Sequence, residues 1–198
     1  MIRRLTSTDA SEIASLHIRS LPRDFLPSLG YKFNRILYEN ILQHTSTQAY
    51  GYIQRGRIAG CLVGVSDTNS LFKKIILGSW YKFIPLLIEK ILRKPAVAIH
   101  IFETAFYSKS SYHQTKAELL IICLNSPLRR KGIGRKLVSY FKIHLKQHGI
   151  KSFIVSAYTH NIPANKFYVS LGGKLINTFI MYNKLWNVYE LTANNGKK

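Results

Sequence analysis

The sequence predicts an α/β fold built on a mixed sheet. Three observations carry that expectation. From position 117 onward, strand-like apolar runs alternate with segments of helical period, the pattern that places helices against the faces of a sheet. The junction AELLIICLNSPLRRKGIGRKL, 117–137, reads as a buried strand, a basic glycine-bearing turn and an amphipathic helix. Nearer the N-terminus, the apolar runs 49–53 and 58–65 flank Gln54-Arg55-Gly56-Arg57, a hairpin signal with glycine in the turn.

The 198 residues show no repeat, linker or composition break, so a single domain over 1–198 is expected. The formal charge of +20 draws anions: nucleotide-bearing small molecules, nucleic acid or anionic lipid. It works against a polyamine or a lysine-rich partner. Solvated lysines in a Lys/Asn/Ile-biased composition account for the same number equally well. The two cysteines, Cys61 and Cys123, fall in strand-like runs, which suits a reduced cytoplasmic interior better than a disulfide. The N-terminal stretch MIRRLTSTDASE has no apolar core of a secretory signal, and no run is apolar for long enough to suggest a membrane span.

In chain order, 2–5 reads as a first strand. Asp9, with Glu12 three residues on, reads as a capping box ahead of the helical spacing Ile13, Leu16, Ile18. Two prolines break the pattern in 21–30, where Phe25 and Leu26 read as exposed or as a plug closing the core. Ser28 is placed to cap a second helix with apolar positions Phe33, Ile36, Leu37, Ile41 and Leu42. In 71–94, Ile76, Trp80, Phe83, Leu87 and Ile91 share a stripe, with Lys74, Lys82, Lys90 and Arg93 elsewhere; Gly78 and Pro85 argue for two short helices. A core-packing or pocket-wall role for this segment is favoured over a membrane-surface contact through 71–94. The run 97–102 alternates weakly and is expected as a strand. The order then becomes strand 117–124, helix 132–148 closed by Gly149, strand 152–157, helix 162–171 stopped by Gly172 and Gly173, strands 175–182 and 188–191, and the polar tail NNGKK.

The strand–turn–helix junction turns several backbone N–H groups toward one point at a helix start, where the helix dipole also favours an anion. Arg129, Arg130, Lys131 and Arg135 add side-chain charge. The chemistry that fits is a bound pyrophosphate. The spacing Arg-x-x-Gly-x-Gly, with Gly132 and Gly134, is neither the dinucleotide Gly-x-Gly-x-x-Gly pattern nor a P-loop. Downstream, HNIPANKFYVSLGG begins at His160. Asn161 suits a helix cap, Pro163 the first turn, and Asn161, Asn165 and Tyr168 fall roughly on one face. By itself that face needs no ligand.

Together the two motifs resemble the GNAT superfamily of N-acetyltransferases. Its coenzyme signature is Gln/Arg-x-x-Gly-x-Gly/Ala after a strand, and its second motif is Asn-x-x-Ala-x-x-(Phe/Leu)-Tyr-x-x-x-Gly, matched here by Asn161, Ala164, Phe167, Tyr168 and Gly172. The resemblance implies a GNAT acyl-CoA N-acyltransferase fold, a mixed central sheet flanked by helices. It implies acetyl transfer from acetyl-coenzyme A to a primary amine, with no metal. It implies further that the turn Arg129, Arg130, Lys131, Gly132, Ile133, Gly134 and Arg135 clasps the pyrophosphate. The pantetheine arm would then run along Ile122, Cys123 and Leu124, with Asn161 and Asn165 on the coenzyme side. Tyr168 matches the family's usual acid for the departing thiolate. Glu118, at the start of the central strand, resembles the position of a glutamate base that acts through water, and Leu119 and Leu120 would raise its pKa on burial. Glu103 and His100 stand in reserve. Two departures are visible: Gly173 where an aromatic is usual, and an enlarged helical segment at about 69–100 where a short turn is usual.

The expected acceptor is a small anionic amine, such as a nucleotide-linked amino sugar. The alternatives are a protein or peptide N-terminus, and a non-catalytic basic module for nucleic acid or a membrane surface; nucleic acid is the less expected partner, and a homodimer stays open. The expected location is cytoplasmic.

Overall fold

The computed structural model describes residues 1–105 and 115–194. The elements run β1 (Ile2–Arg4), α1 (Ala10–Ser20), α2 (Phe25–Ser28), α3 (Tyr31–Gln43), β2 (Thr47–Gln54), β3 (Arg57–Val65), α4 (Thr68–Arg93) and α5 (Val97–Ala105). After residues 106–114 come β4 (Glu118–Leu124), α6 (Ile133–Gln147), β5 (Ser152–Tyr158), α7 (Ile162–Ser170), β6 (Lys174–Met181) and β7 (Lys184–Thr192). The strands form one seven-stranded sheet in the order β1-β2-β3-β4-β5-β7-β6. Its pairs are antiparallel except β4 with β5. The mixed sheet is thus the one the sequence predicts.

Each face of the sheet carries its own core. One layer packs α1, α3 and the start of α4 on β3 through Ile13, Leu16, Leu37, Ile41, Val63, Val65 and Leu71. The other packs α6 and α7 on β4, β5 and β7 through Leu137, Phe141, Leu145, Phe153, Val155 and Tyr168. The β2–β3 hairpin closes where expected, with Gln54 opposite Arg57 and positive φ at Arg55 (50°) and Gly56 (74°). Two successive left-handed residues are what a tight hairpin turn requires.

The helix starts differ from expectation. Asp9 is helical (φ −86°, ψ −6°) and does not cap α1; it closes a capping box one turn earlier, its carboxylate accepting from Thr6 N–H (2.9 Å) at the start of the 3-10 turn Ser7–Asp9, and it pairs with Arg3 (2.7 Å). Glu12 reaches across to Ile58 N–H in β3 at 2.8 Å. The box therefore lies three residues ahead of the expected one, and only Glu12 is taken by a tertiary partner. Ser28 ends α2, its hydroxyl donating to Phe25 O, and Gly30 (φ 91°) stands at the start of α3.

Residues 68–93 form one helix rather than two. Pro85 withholds an N–H from the carbonyl of Tyr81, but Tyr81 is exposed, so water can take that oxygen. Packing of Leu71, Ile75 and Phe83, which are buried, and a hydrogen bond from Ser79 Oγ to Asn40 Oδ1 (2.5 Å) hold the helix on α3. The part of the expected stripe at Ile76 lies outside the described side chains. Residues 97–105 are helical, not a strand. Pro95 opens the turn, with Ala98 N–H donating to its carbonyl at 3.0 Å. The element then docks on the β6–β7 turn: Glu103 accepts from Tyr182 N–H (3.0 Å) and Thr104 bonds the Tyr182 hydroxyl (2.8 Å). Among the described residues no helix is long and apolar enough to cross a membrane.

Candidate active site

The site begins at a defect in β4. Val63 pairs with Ile121 but Gly64 with Leu119, so Leu120 is an extra residue, a β-bulge. The bulge puts Leu120 and Ile121 on the α1–α3 face, while Leu119, Ile122 and Leu124 pack on the α6 face. It also swaps which backbone groups face which neighbour. Asn125 N–H donates to Ala59 O in β3 at 2.9 Å, so alternation turns the backbone of Leu124 and Ile122 toward β5. There they meet no strand. Pairing of β4 with β5 is confined to Glu118 with Ile154 and Leu119 with Val155. Beyond these pairs a gap opens along Ile122, Cys123 and Leu124.

The gap ends at the start of α6. Gly132 (φ 75°) precedes the first helical residue, and Arg130 (φ 61°) is also left-handed. Lys136 N–H is the first to return, to Gly132 O at 3.0 Å. The N–H groups of Ile133, Gly134 and Arg135 are therefore the helix's unpaired donors. The two glycines have separate reasons. Open space surrounds Gly132, so only its backbone conformation demands glycine. A Cβ on Gly134 would sit 3.2 Å from the Phe167 ring, so its absence lets α6 and α7 approach. Arg129 is tied to Ser20 O (3.2 Å), and Arg135 to the Ser170 carbonyl (3.3 Å) and hydroxyl (3.2 Å). Arg130 and Lys131 are exposed.

One continuous cavity of about 980 Å³ joins this turn to the α1–α3 face. Arg129, Arg130, Gly132, Gly134, Arg135 and Asn161 line one end, followed by Ile122, Cys123, Leu124, Tyr168 and Glu118. Lys131, Ile133 and Asn165 do not line it. Ile133 is a core residue. Asn165 is consumed by structure: its amide nitrogen donates to the carbonyls of Tyr158 (2.9 Å), Thr159 (3.1 Å) and Asn161 (2.8 Å). Its oxygen accepts from Asn187 and the Tyr189 hydroxyl, both at 2.8 Å. Asn161 caps α7 by accepting from Ala164 N–H at 3.3 Å.

Glu118 is 2 % exposed, on the α1–α3 side of the sheet. Burial in apolar surroundings lifts its pKa to about 8, and Thr68 Oγ1 at 3.5 Å pulls it back only slightly. Tyr168 is 5 % exposed, and burial pushes its phenol well above the usual value, so it stays protonated at neutral pH. The reserve pair does not reach the cavity: His100 and Glu103 bond each other at 2.8 Å beside Tyr182.

Three lining residues escaped sequence reasoning. Ser156, on β5 across the gap, has a buried hydroxyl with no partner among the described residues. A lone hydroxyl in the strand SFIVSAY was the available signal. His17 bonds the Tyr38 hydroxyl at 2.7 Å, and burial lowers its pKa to about 4, so it is neutral. Asp24 sits at the mouth, where burial raises its pKa and Lys184 opposes the shift. Nothing in their local sequence marks either of these two. No cluster of three metal-ligating side chains occurs among the described residues.

A gapped parallel strand pair leading to a glycine-capped helix start defines an acyl-coenzyme A transferase architecture. The profile of the acetyltransferase (GNAT) family matches residues 12–172, and the chain belongs to that family. Its fold is similar to that of the ribosomal-protein-S18-alanine N-acetyltransferase of Escherichia coli (14 % identity, 100 % of this chain and 96 % of that one, TM-score 0.62). It is also similar to Arabidopsis thaliana NAA60 in complex with acetyl-CoA (10 %, 97 % of each, TM-score 0.61) and to SsHAT (18 %, 98 % of each, TM-score 0.69). No curated protein matches the sequence significantly. Acetyl transfer, with acetyl-coenzyme A as co-substrate, is the general chemistry of the family.

Proposed function

We propose that the protein is an acetyl-CoA-dependent N-acetyltransferase acting on the primary amine of a small anionic acceptor, of which a nucleotide-linked amino sugar is the leading class. The observation that carries this reading is the cavity that joins the donor-rich start of α6 to Glu118 and Tyr168. The residues fit the coenzyme. The free N–H groups at 133–135 and the Arg129 and Arg135 guanidiniums suit a pyrophosphate, and the Ile122 backbone and Leu124 N–H, which face no strand, suit an arm that pairs as an added strand; the Leu124 carbonyl already accepts from Ser20 Oγ and Arg129 Nε, both at 3.4 Å. Asn161 lies on the coenzyme side, whereas the Asn165 amide is occupied. The coenzyme supplies an activated acetyl thioester.

In this reading Glu118 takes the proton from the amine, directly or through water; a base of pKa about 8 matches an amine that titrates near neutrality. The orphan Ser156 hydroxyl across the gap orients the nitrogen. Tyr168 donates to the departing sulfur. A free phenol, pKa about 10, is a weaker acid than a thiol of about 8.5, so full transfer in water runs uphill by about 2 kcal/mol. Burial penalises thiolate and phenolate alike, and the Tyr168 role is therefore a hydrogen bond that shortens as charge develops on sulfur. The net charge of +20 favours an anionic acceptor.

A second reading concerns place rather than chemistry. On the outer face of α4, Trp80, Tyr81, Ile84, Ile88 and Leu92 are exposed beside Lys82, Lys90 and Arg93, a pattern that suits contact with an anionic lipid surface. Co-sedimentation with anionic but not neutral vesicles is the expected result for that face. The principal test is thiol release from acetyl-CoA against amino sugars, nucleotide-linked amino sugars, peptide N-termini and polyamines. Release with the nucleotide-linked sugars supports the proposal; release only with peptides or polyamines reassigns the acceptor.

A further inference from the structure

The cavity continues past Glu118 into the α1–α3–α4 layer. There its walls are Leu26, Phe33, Leu37, Ile75, Phe83 and Leu87. Four of these are buried, while the exposed Trp80 and Ile84 of α4 line the same cavity, so this is a deep apolar pocket with an exposed rim. Protein interiors are packed nearly as densely as organic crystals, and voids larger than a water molecule are few. A chamber of ligand size with apolar walls is accordingly built to be filled. Its polar groups are few: His17 and Tyr38 satisfy each other, and Glu118 and Ser156 lie nearer the strand gap. The outer wall, Ile75, Phe83 and Leu87, belongs to α4, and the Phe33 and Phe83 rings meet at 5.1 Å. The segment that is long where a short turn is usual is thus the one that closes the chamber.

We propose that this chamber receives the hydrocarbon tail of an acyl thioester, so that the protein transfers acyl groups longer than acetyl. The proposal rests on the thioester chemistry proposed above and names its donor class. Two groups must leave the reaction centre by different routes, the acyl tail and the body of the amine. Toward solvent the lining offers the Asp24 carboxyl, with Lys184 outside the lining near enough to oppose its raised pKa, and suits the hydrated, charged amine. The deep end offers only apolar walls and suits the uncharged tail. In the step itself, the amine nitrogen bonds to the acyl carbon, the carbon–sulfur bond breaks, and the sulfur keeps the electron pair. The proton lost by nitrogen goes to Glu118, and the sulfur leaves as a thiolate held by the Tyr168 hydrogen bond, taking its proton from water on release.

The test is calorimetric binding of coenzyme A and its acetyl, butanoyl, hexanoyl and octanoyl thioesters. Affinity should rise about fourfold for each added methylene until the chamber is full. Leu26→Trp and Leu87→Trp, two independent fillings of the chamber, should abolish that rise while leaving acetyl-CoA affinity unchanged. Octanoyl-CoA binding no tighter than acetyl-CoA overturns the proposal and leaves the coenzyme reading intact. Failure of every thioester to bind overturns both. In parallel, alkylamines of increasing length are tested with acetyl-CoA. A chain-length gain there, with a flat thioester series, assigns the chamber to the acceptor and refutes the assignment to the donor.

Discussion

Replacing Glu118 with glutamine keeps the side-chain shape and removes the one buried carboxyl of the cavity floor, so both catalysis and stability report on it. Burial sets its pKa at about 8 in the folded chain against an ordinary 4.5. If the ionised form accepts the amine proton, kcat/KM of the wild type climbs tenfold per pH unit and levels off near pH 8, with only about a tenth of the enzyme active at pH 7. The glutamine variant lacks that limb. The stability sign is opposite to that of a salt-bridged carboxylate. Here the folded state holds the proton more tightly than the unfolded chain. Stability is therefore full below pH 4.5, falls as pH rises, and is flat again above about 8. Integrated between about pH 6 and 9, the wild type loses roughly 2–3 kcal/mol relative to Glu118→Gln. Urea denaturation of both proteins across that range measures the difference, and thiol release gives the rate profile. A rate limb near pH 4.5, or a stability difference that does not change with pH, refutes the buried-base argument.

Tyr168→Phe should lower kcat by about a hundredfold or more while leaving coenzyme affinity within about twofold, as measured by kinetics and calorimetry; unchanged kcat removes the hydroxyl from the reaction. Gly132→Ala meets no clash but must adopt φ 75°, so it should cost about 1–2 kcal/mol and weaken coenzyme binding, read by denaturation and calorimetry. His17 is neutral in the fold with a pKa of about 4 and titrates near 6.5 when unfolded. Stability should accordingly fall as pH drops from 6.5 toward 4 by about 3 kcal/mol, and His17→Gln should lack that loss in acid denaturation.

The second half of the chain was the legible half. There each strand carries an apolar stretch bounded by turn residues, each helix carries its own stop, and Gly132, Asn161 and Gly172 act through local backbone geometry that sequence displays. The first half depends on distant partners. Glu12 reads as part of the cap on α1 but bonds Ile58 across the fold, while Asp9 boxes Thr6 instead. Gly78 and Pro85 read as breakers, yet packing on α3 and exposure of the freed carbonyl keep one helix. The alternation in 97–102 was too short to separate period two from period 3.6, and contact with Tyr182 settled it as helix. At the site, the turn and the depth of Glu118 were readable because charge, glycine spacing and flanking leucines are local. The bulge at Leu120 was not, since nothing in ELLIICL marks a slipped register. Nor was the chamber, which exists only because α4 lies across α3.

The parallel contact between β4 and β5 spans only two residue pairs, at Glu118 and Leu119. Mechanically the sheet is two blades riveted at one end, and an arm lying along Ile122 to Leu124 acts as the missing tooth of a zip. Occupancy of that slot would make the blades unfold as a single body, so amide protection in β5 and β7 should climb together with that in β3.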